Sequence, residues 1–121
     1  MANTFKVVTF AAEPASAGTA YKMYTVAGST TTVVLGLILT NINTTAVTAE
    51  VELVSDTGSR GGANNVANGT SFLVKDVSIP AGSSLEVLTG GKVVLEATDE
   101  IKIDCSVADK LSGTLSIMEI T

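Results

Sequence analysis

TTTVVLGLILTNI, residues 30–42, is the stretch that decides the fold of this chain. Its centre, VVLGLIL at 33–39, is continuously apolar, as expected of a strand that is buried on both faces in the middle of a sheet. Seven residues are too few to cross a bilayer. Gly36 interrupts the run and predicts either a β-bulge or a close backbone approach. The stretch therefore predicts a central strand.

The rest of the chain has the same extended character, with almost no helical period. AVTAEVELVS at 46–55 alternates apolar and polar residues, which predicts a strand with one buried face. Gly90-Gly91 predicts a two-residue hairpin between the short runs on either side of it. Strands are predicted at 4–10, 20–26, 30–42, 46–55, 71–79, 84–89, 92–97, 100–107 and 114–121. Eight or nine short strands at regular spacing predict an all-β fold, a single antiparallel β-sandwich of jelly-roll or immunoglobulin-like topology.

The domain organisation follows from length and from one flexible segment. The chain has 121 residues, 45% of them hydrophobic, which is enough for one domain with its own core. We predict that residues 21–121 form the sandwich and that 1–20 form an N-terminal strand or arm with a flexible linker, AAEPASAGTA, at 11–20. Such an edge strand can complete its own sheet or be donated to a neighbouring subunit. Its candidate interface residues are Thr4, Phe5, Lys6, Val7 and Val8.

One long irregular segment, DTGSRGGANNVANGT at 56–70, is built from Gly, Asn and Ser. It lacks a Lys or Ser/Thr at P-loop spacing and does not open a helix, which argues against phosphate binding. A loop of this length in a compact domain is often a contact element. The candidate interface residues in it are Arg60, Asn64, Asn65 and Asn68.

Composition excludes several classes of function. The net charge is −5 and the seven basic residues are scattered, which argues against nucleic-acid binding. The absence of histidine removes the commonest general base and all His-containing triads and metal sites. Cys105, the single cysteine, cannot form an intrachain disulfide, and its strand pattern predicts a buried, inert side chain. We therefore predict no enzymatic activity and no cofactor.

The acidic residues offer two weak alternatives. Glu96, Asp99 and Glu100 cluster at a turn that could hold Ca²⁺, although such clusters are more often solvated. Glu50 and Glu52 share the outer face of one strand and could form a carboxylate pair, but solubilising charge is the simpler interpretation. We predict no metal site. The N-terminus lacks a basic region followed by an apolar core, so we expect no secretory signal and no membrane association.

Four segments resemble a family of small virion structural proteins of tailed bacteriophages, including phages of aquatic and cyanobacterial hosts. They are YTVAGSTTTVVLGLILTNI (24–42), SFLVKDVSIPAGSSLEVL (71–88), GGKVVLEATDEIKI (90–103) and SIMEIT at the end of the chain. The resemblance spans residues 21–121 with the same order and similar spacing. Its motifs are turns and strands, so it carries over no catalytic residue.

The resemblance implies a non-enzymatic subunit that packs in many copies on a particle, most specifically as a capsid decoration or cement protein. It implies a homo-oligomer that binds other virion proteins, such as major capsid or tail proteins, and is synthesised in the bacterial host cytoplasm. Two alternatives remain open: an accessory subunit of neck, tail or baseplate, and an adhesin-like module that binds host glycans. Tyr21 and Tyr24 are the only Tyr residues, and there is no Trp, so platforms for sugar rings are scarce.

Overall fold

The computed structural model describes residues 2–55 and 69–121, and these residues form strands without any helix. Nothing in this described part of the chain is a helix long and apolar enough to cross a membrane. The strands are β1 (Asn3–Glu13), β2 (Tyr21–Thr25), β3 (Thr31–Asn41), β4 (Val47–Val54), β5 (Thr70–Ile79), β6 (Ser84–Glu86), β7 (Val93–Leu95), β8 (Glu100–Cys105) and β9 (Leu111–Ile120).

The strands form two antiparallel sheets. Sheet I has the order β1-β9-β3-β6, with β7 also paired to β3, and sheet II has the order β2-β8-β4-β5. The pairs are nested, because β1 pairs with β9, β2 with β8, β3 with β6 and β7, and β4 with β5. A long hairpin rolled up in this way is a jelly roll. The predicted all-β sandwich is confirmed, and the order differs from the immunoglobulin arrangement.

Strand β3 lies inside sheet I, with β9 along one edge and β6 and β7 along the other. The predicted bulge is confirmed, because the register with β9 shifts between Val34 and Gly36. The extra residue lets both Val34 and Leu37 face the core, although their spacing would otherwise place them on opposite faces. The expected burial of β3 on both faces is wrong: Leu35 and Ile38 are 37% and 43% exposed on the outside of the sheet.

The core lies between the sheets and consists almost entirely of aliphatic side chains. The alternation predicted for β4 is confirmed, with Val47, Ala49 and Val51 buried, and Cys105 is buried as expected. The fully buried side chains include Leu37, Leu39, Ile79, Leu95, Ile101, Ile103, Leu111, Leu115 and Ile117.

The Phe10 ring attaches β1 to this core. It lies over Gly113 of β9, where the Cβ of any other residue would collide with the ring. Its second neighbour is Tyr21, whose ring meets it edge-on with the centroids 5.3 Å apart. Phe10 is 8% exposed, so the second half of β1 contributes to the subunit's own core.

The hairpin at Gly90-Gly91 and the ends of several strands differ from the sequence-based expectation; β9, for example, begins at Leu111 and not at residue 114. The prediction of a hairpin at Gly90-Gly91 is wrong, because β6 and β7 do not pair with each other but lie end to end along β3. The Val87 N–H donates to the Leu37 carbonyl at 2.8 Å, and the chain then leaves the sheet until β7 begins. At the N-terminus, β1 continues to Glu13, so residues 11–13, which were predicted as part of the linker, belong to the strand.

A buried amide fixes the turn between β5 and β6. Asn41 Nδ2 donates to the carbonyls of Ile79 and Thr45, at 2.9 and 3.0 Å, and Oδ1 accepts the Asn43 N–H. The predicted Pro80-Ala81-Gly82 turn is present, with Gly82 at φ +71° and the Ser83 N–H donating to the Pro80 carbonyl. Because Asn41 is fully buried, these bonds satisfy an amide that would otherwise be costly.

We predict that Leu37→Asp prevents folding, because it places an unpaired carboxylate among aliphatic side chains at a position that is 1% exposed. Ile38→Asp is the matched control, since Ile38 is the next residue in the strand and its side chain reaches solvent. Circular dichroism should show a cooperative thermal transition for the control and none for Leu37→Asp. A soluble Leu37→Asp protein with the parent's melting temperature would contradict the core assignment.

Candidate assembly surface

The outer face of sheet II is charged. The register places Lys22, Lys102 and Glu52 side by side across β2, β8 and β4. Lys22 Nζ lies 3.0 Å from Glu100 Oε2, and Lys75 Nζ lies 2.9 Å from Glu50 Oε1. Glu50 and Glu52 therefore belong to a solvated array of mixed charge, as the simpler interpretation of their pattern predicted. Charged positions of this density are typical of a face that stays in water.

The outer face of sheet I is apolar instead. The register aligns Phe5 with Met118, Met118 with Val33, and Val33 with Val94, so that one row crosses β1, β9, β3 and β7. We call these four residues the apolar row. Phe5 and Val94 at its ends are 71% and 60% exposed, and the two central residues are partly buried.

The apolar row continues into a larger uncharged surface. Val7, Leu35 and Ile38 are exposed beside it, at 64%, 37% and 43%. Most other strand positions on this face are Ser or Thr, and Glu86 of β6 is the one charged side chain that the described strands direct to it. An exposed apolar surface of this extent on a small domain is typical of a protein contact site. We call it the assembly face.

A polar cluster at one end of the sandwich joins the two sheets. The Tyr24 hydroxyl of sheet II donates to Glu119 Oε2 at 2.5 Å and lies 2.8 Å from Thr32 Oγ1 in sheet I. Lys6 Nζ of β1 lies 2.6 Å from the other oxygen, Glu119 Oε1. One carboxylate thus holds together β1, β9 and β2.

The electrostatics of this cluster follow from burial and hydrogen bonding. Burial raises the pKa of Tyr24 to about 12, and its hydrogen bond to Glu119 contributes in the same direction. The hydrogen bonds from Lys6 and then from Tyr24 lower the pKa of Glu119 below its ordinary value of 4.5. Glu119 is therefore ionised and Tyr24 neutral at physiological pH, which is the state in which both hydrogen bonds are strongest.

The five candidate residues of the N-terminal strand all lie on β1. Phe5 and Val7 are on the assembly face, whereas Thr4, Lys6 and Val8 lie on the opposite side of the strand. In the structure β1 pairs with β9 of its own chain, one of the two arrangements that the sequence left open.

The other four candidates, Arg60, Asn64, Asn65 and Asn68, lie outside the described residues. Sequence reasoning missed the contributions of β3, β7 and β9 to the assembly face, namely Val33, Leu35, Ile38, Val94 and Met118. The signal is present in the apolar run of β3, from which the sequence predicts burial on both faces.

The acidic turn has a structural role. Asp99 is 3% exposed, and its Oδ2 accepts the Glu96 N–H at 3.0 Å, while Glu100 pairs with Lys22. Within 2–55 and 69–121, no group of three or more acidic, Cys or His side chains is placed to hold a metal ion.

Comparisons with known proteins do not show a family for this chain. No protein-family model matches the chain, and no curated protein matches it. A solved structure from the disulfide-linked pili that form Bacillus endospore appendages is similar, with 17% sequence identity and a TM-score of 0.49. The alignment covers 99% of this chain and 87% of that one. A TM-score this low carries no function over, and no comparison names a phage protein.

We predict that acid weakens the fold through Glu119. Because its folded pKa lies below the ordinary value of 4.5, its stabilisation is complete above that pH and is lost as the pH falls through the folded pKa. Thermal unfolding between pH 6 and pH 3 should show a smaller loss of melting temperature for Glu119→Gln than for the parent. Glu52→Gln, on the charged outer face, is the control and should follow the parent. Equal pH dependence in all three proteins would contradict the role of the cluster.

We also predict that the fold requires no metal ion, because the Asp99 carboxylate is engaged in closing its turn. Prolonged chelation should leave the thermal midpoint unchanged, since a ligand that stabilises the folded state would lower the midpoint when removed. A fall in the midpoint that calcium reverses would restore Glu96, Asp99 and Glu100 as a metal site.

Proposed function

We propose that this protein is a non-enzymatic structural subunit that packs in many copies on a phage virion, most specifically as a capsid decoration protein. The observation that carries the proposal is the assembly face: an exposed, nearly uncharged surface on one side of a sandwich whose other side is charged. Its partners would be further copies of the chain and a major capsid or tail protein. Synthesis would take place in the bacterial host cytoplasm.

The size of the assembly face suits a repeated, modest contact. Three strands about ten residues long, with β6 and β7 end to end along a fourth line, make a surface of roughly 600 Å² at about 4.8 Å between strands and about 3.3 Å per residue. A standard interface covers about 800 Å² on each partner, so a contact through this face alone is on the small side. Many such contacts on one particle produce a stable assembly through avidity.

The charge distribution supports the same use. With a net charge of −5, copies of this chain repel one another where their charged faces meet. Among the described strand positions, the assembly face carries a single charged side chain, Glu86, so another protein surface can approach these strands without desolvating an array of ion pairs. The charged face of sheet II would then remain exposed to solvent on the outside of the particle.

The polar groups of the described residues support a structural role over a catalytic one. Tyr24, Glu119 and Asn41 hold strands together through hydrogen bonds with each other or with neighbouring backbone. Cys105 is buried, whereas a reactive thiol needs access to solvent and a cationic neighbour.

The phage assignment is supported by the sequence resemblance over residues 21–121. The assembly face suits a head or a tail position equally, so capsid decoration and a neck, tail or baseplate subunit are separated only by locating the protein on the particle. Labelling within purified virions makes that distinction. Retention of the protein by a glycan array instead would favour the adhesin alternative.

We predict that Val94→Lys reduces incorporation into particles by at least about tenfold. Burying an unpaired ammonium in the contact costs more free energy than the amount that corresponds to a tenfold loss of affinity. The fold should tolerate the change, since Val94 is 60% exposed. Phe72→Lys is the matched control: it exchanges an apolar side chain, 46% exposed, for lysine on the opposite sheet. Quantitative reconstitution of particles with equal amounts of each protein measures the effect. Undiminished incorporation of Val94→Lys, or an equal loss in both variants, would contradict the proposal that the assembly face is the contact surface.

A further inference from the structure

Three of the four sheet edges are unsuited to adding another strand. The β2 edge is bulged between Lys22 and Tyr24, and the β5 edge is irregular and carries the charged pair Lys75 and Asp76. The third edge is divided between β6 and β7. Bulges, charges and short strands are the devices by which natural sheets prevent edge-to-edge pairing.

The edge of β1 has none of these devices over most of its length. It pairs with β9 in unbroken register from Asn3 to Phe10, and the shift occurs only beyond that point. Lys6 is the single charged side chain within this stretch, and Glu119 of the same chain neutralises it. Among the described strands, β1 pairs with β9 alone, so its other edge is unpaired.

The backbone groups on that free edge can be assigned. Ala2 and Thr121 exchange two hydrogen bonds, N–H to carbonyl in each direction, at 3.2 and 3.0 Å. Hydrogen-bonded and non-hydrogen-bonded pairs alternate along an antiparallel ladder, so every second residue from Ala2 bonds to β9. The remaining residues direct their N–H and carbonyl groups away from β9: Asn3, Phe5, Val7 and Thr9.

We propose, building on the structural role above, that this free edge pairs with the same edge of a second copy of the chain. The two β1 strands run antiparallel about a two-fold axis, which joins the two copies of sheet I into one continuous sheet. The first partner of each subunit in the assembly is then a second copy of the chain.

Three observations select a second copy as the occupant. A two-fold pairing is self-complementary, so one regular edge is sufficient when the other edges of the chain are blocked. The two assembly faces become one continuous apolar surface, because Phe5 and Val7 lie on that face in both copies. Electrostatic repulsion between two copies is small at this edge, because Lys6 already pairs with a carboxylate of its own chain.

Charge and length also select the register. A pairing centred on Lys6 sets two ammonium groups directly opposite each other, which is unfavourable. Centring on Val7 places Lys6 opposite Val8 and Phe5 opposite Thr9, and it pairs residues 4–10, all of which lie within the regular stretch of β1. About six backbone hydrogen bonds form across the axis in this register.

Amide hydrogen exchange on the full chain tests the proposal directly. The amides of Phe5, Val7 and Thr9 should exchange rapidly at low protein concentration and slow by at least about tenfold where sedimentation shows a dimer. The amides of Thr4, Lys6 and Val8 should be protected at both concentrations, because they bond to β9. A monomer at all concentrations with unprotected outward amides, or a dimer in which those amides stay unprotected, would overturn the proposal.

Thr9→Pro and Thr9→Ala form a matched pair for the same question. Proline removes only the outward N–H and is tolerated at an edge strand position that faces solvent, whereas alanine removes the side chain and keeps the donor. The dimer dissociation constant should rise at least about tenfold for Thr9→Pro and stay near the parent value for Thr9→Ala. Equal dissociation constants would refute edge pairing.

Val94→Lys lies on β7, away from this edge, and should dimerise like the parent. The two proposals can therefore fail separately. If β1 edges do not pair, the effect of Val94→Lys on particle incorporation still tests the structural role.

Discussion

The pairing of β3 along both of its edges is the constraint on which the rest of the structure depends. β9 occupies one edge and β6 with β7 the other, so three chain segments that are distant from β3 in sequence are held in register by it. The bulge at Gly36 then sets which side chains of β3 enter the core. With Leu37 and Leu39 fully buried, the outer residues of the same strand are left to face solvent, and the assembly face begins there.

The sandwich separates an apolar outer face on one sheet from a charged outer face on the other. Almost all described ion pairs that involve outward-facing side chains lie on sheet II, whereas sheet I presents Val, Ile, Leu, Phe, Ser and Thr. The Tyr24–Glu119–Lys6 cluster belongs to neither outer face, since it lies at the end of the sandwich and connects the sheets. A short polar connection of this kind fixes the relative position of two sheets that aliphatic packing alone would leave less specific.

The sequence was sufficient to predict the class of fold, because period-2 alternation in β4 and turn residues such as Pro80 and Gly82 are local signals. It was not sufficient for β6 and β7, since Gly90-Gly91 has the chemistry of a tight hairpin and only the long-range pairing with β3 excludes one. Burial of β3 was overestimated for a related reason: an apolar residue such as Ile38 looks the same in a sequence whether it contacts a second layer or awaits another molecule. The strand that carries the candidate residues of β1 was predictable because an extended, apolar-rich segment is visible locally, whereas their role in an interface stays a prediction. Their partners across the sheet, Val33 and Val94, depend on register, which no local pattern contains.

The placement of Phe10 over Gly113 divides β1 into two halves that are attached to the domain differently. From Asn3 to Val7 every side chain is exposed, so backbone hydrogen bonds to β9 and the Lys6–Glu119 ion pair hold this half. Displacement of the whole strand must in addition extract an aromatic ring from a slot in which only glycine leaves room for it. Exchange of the entire strand between copies of the chain would therefore be slow.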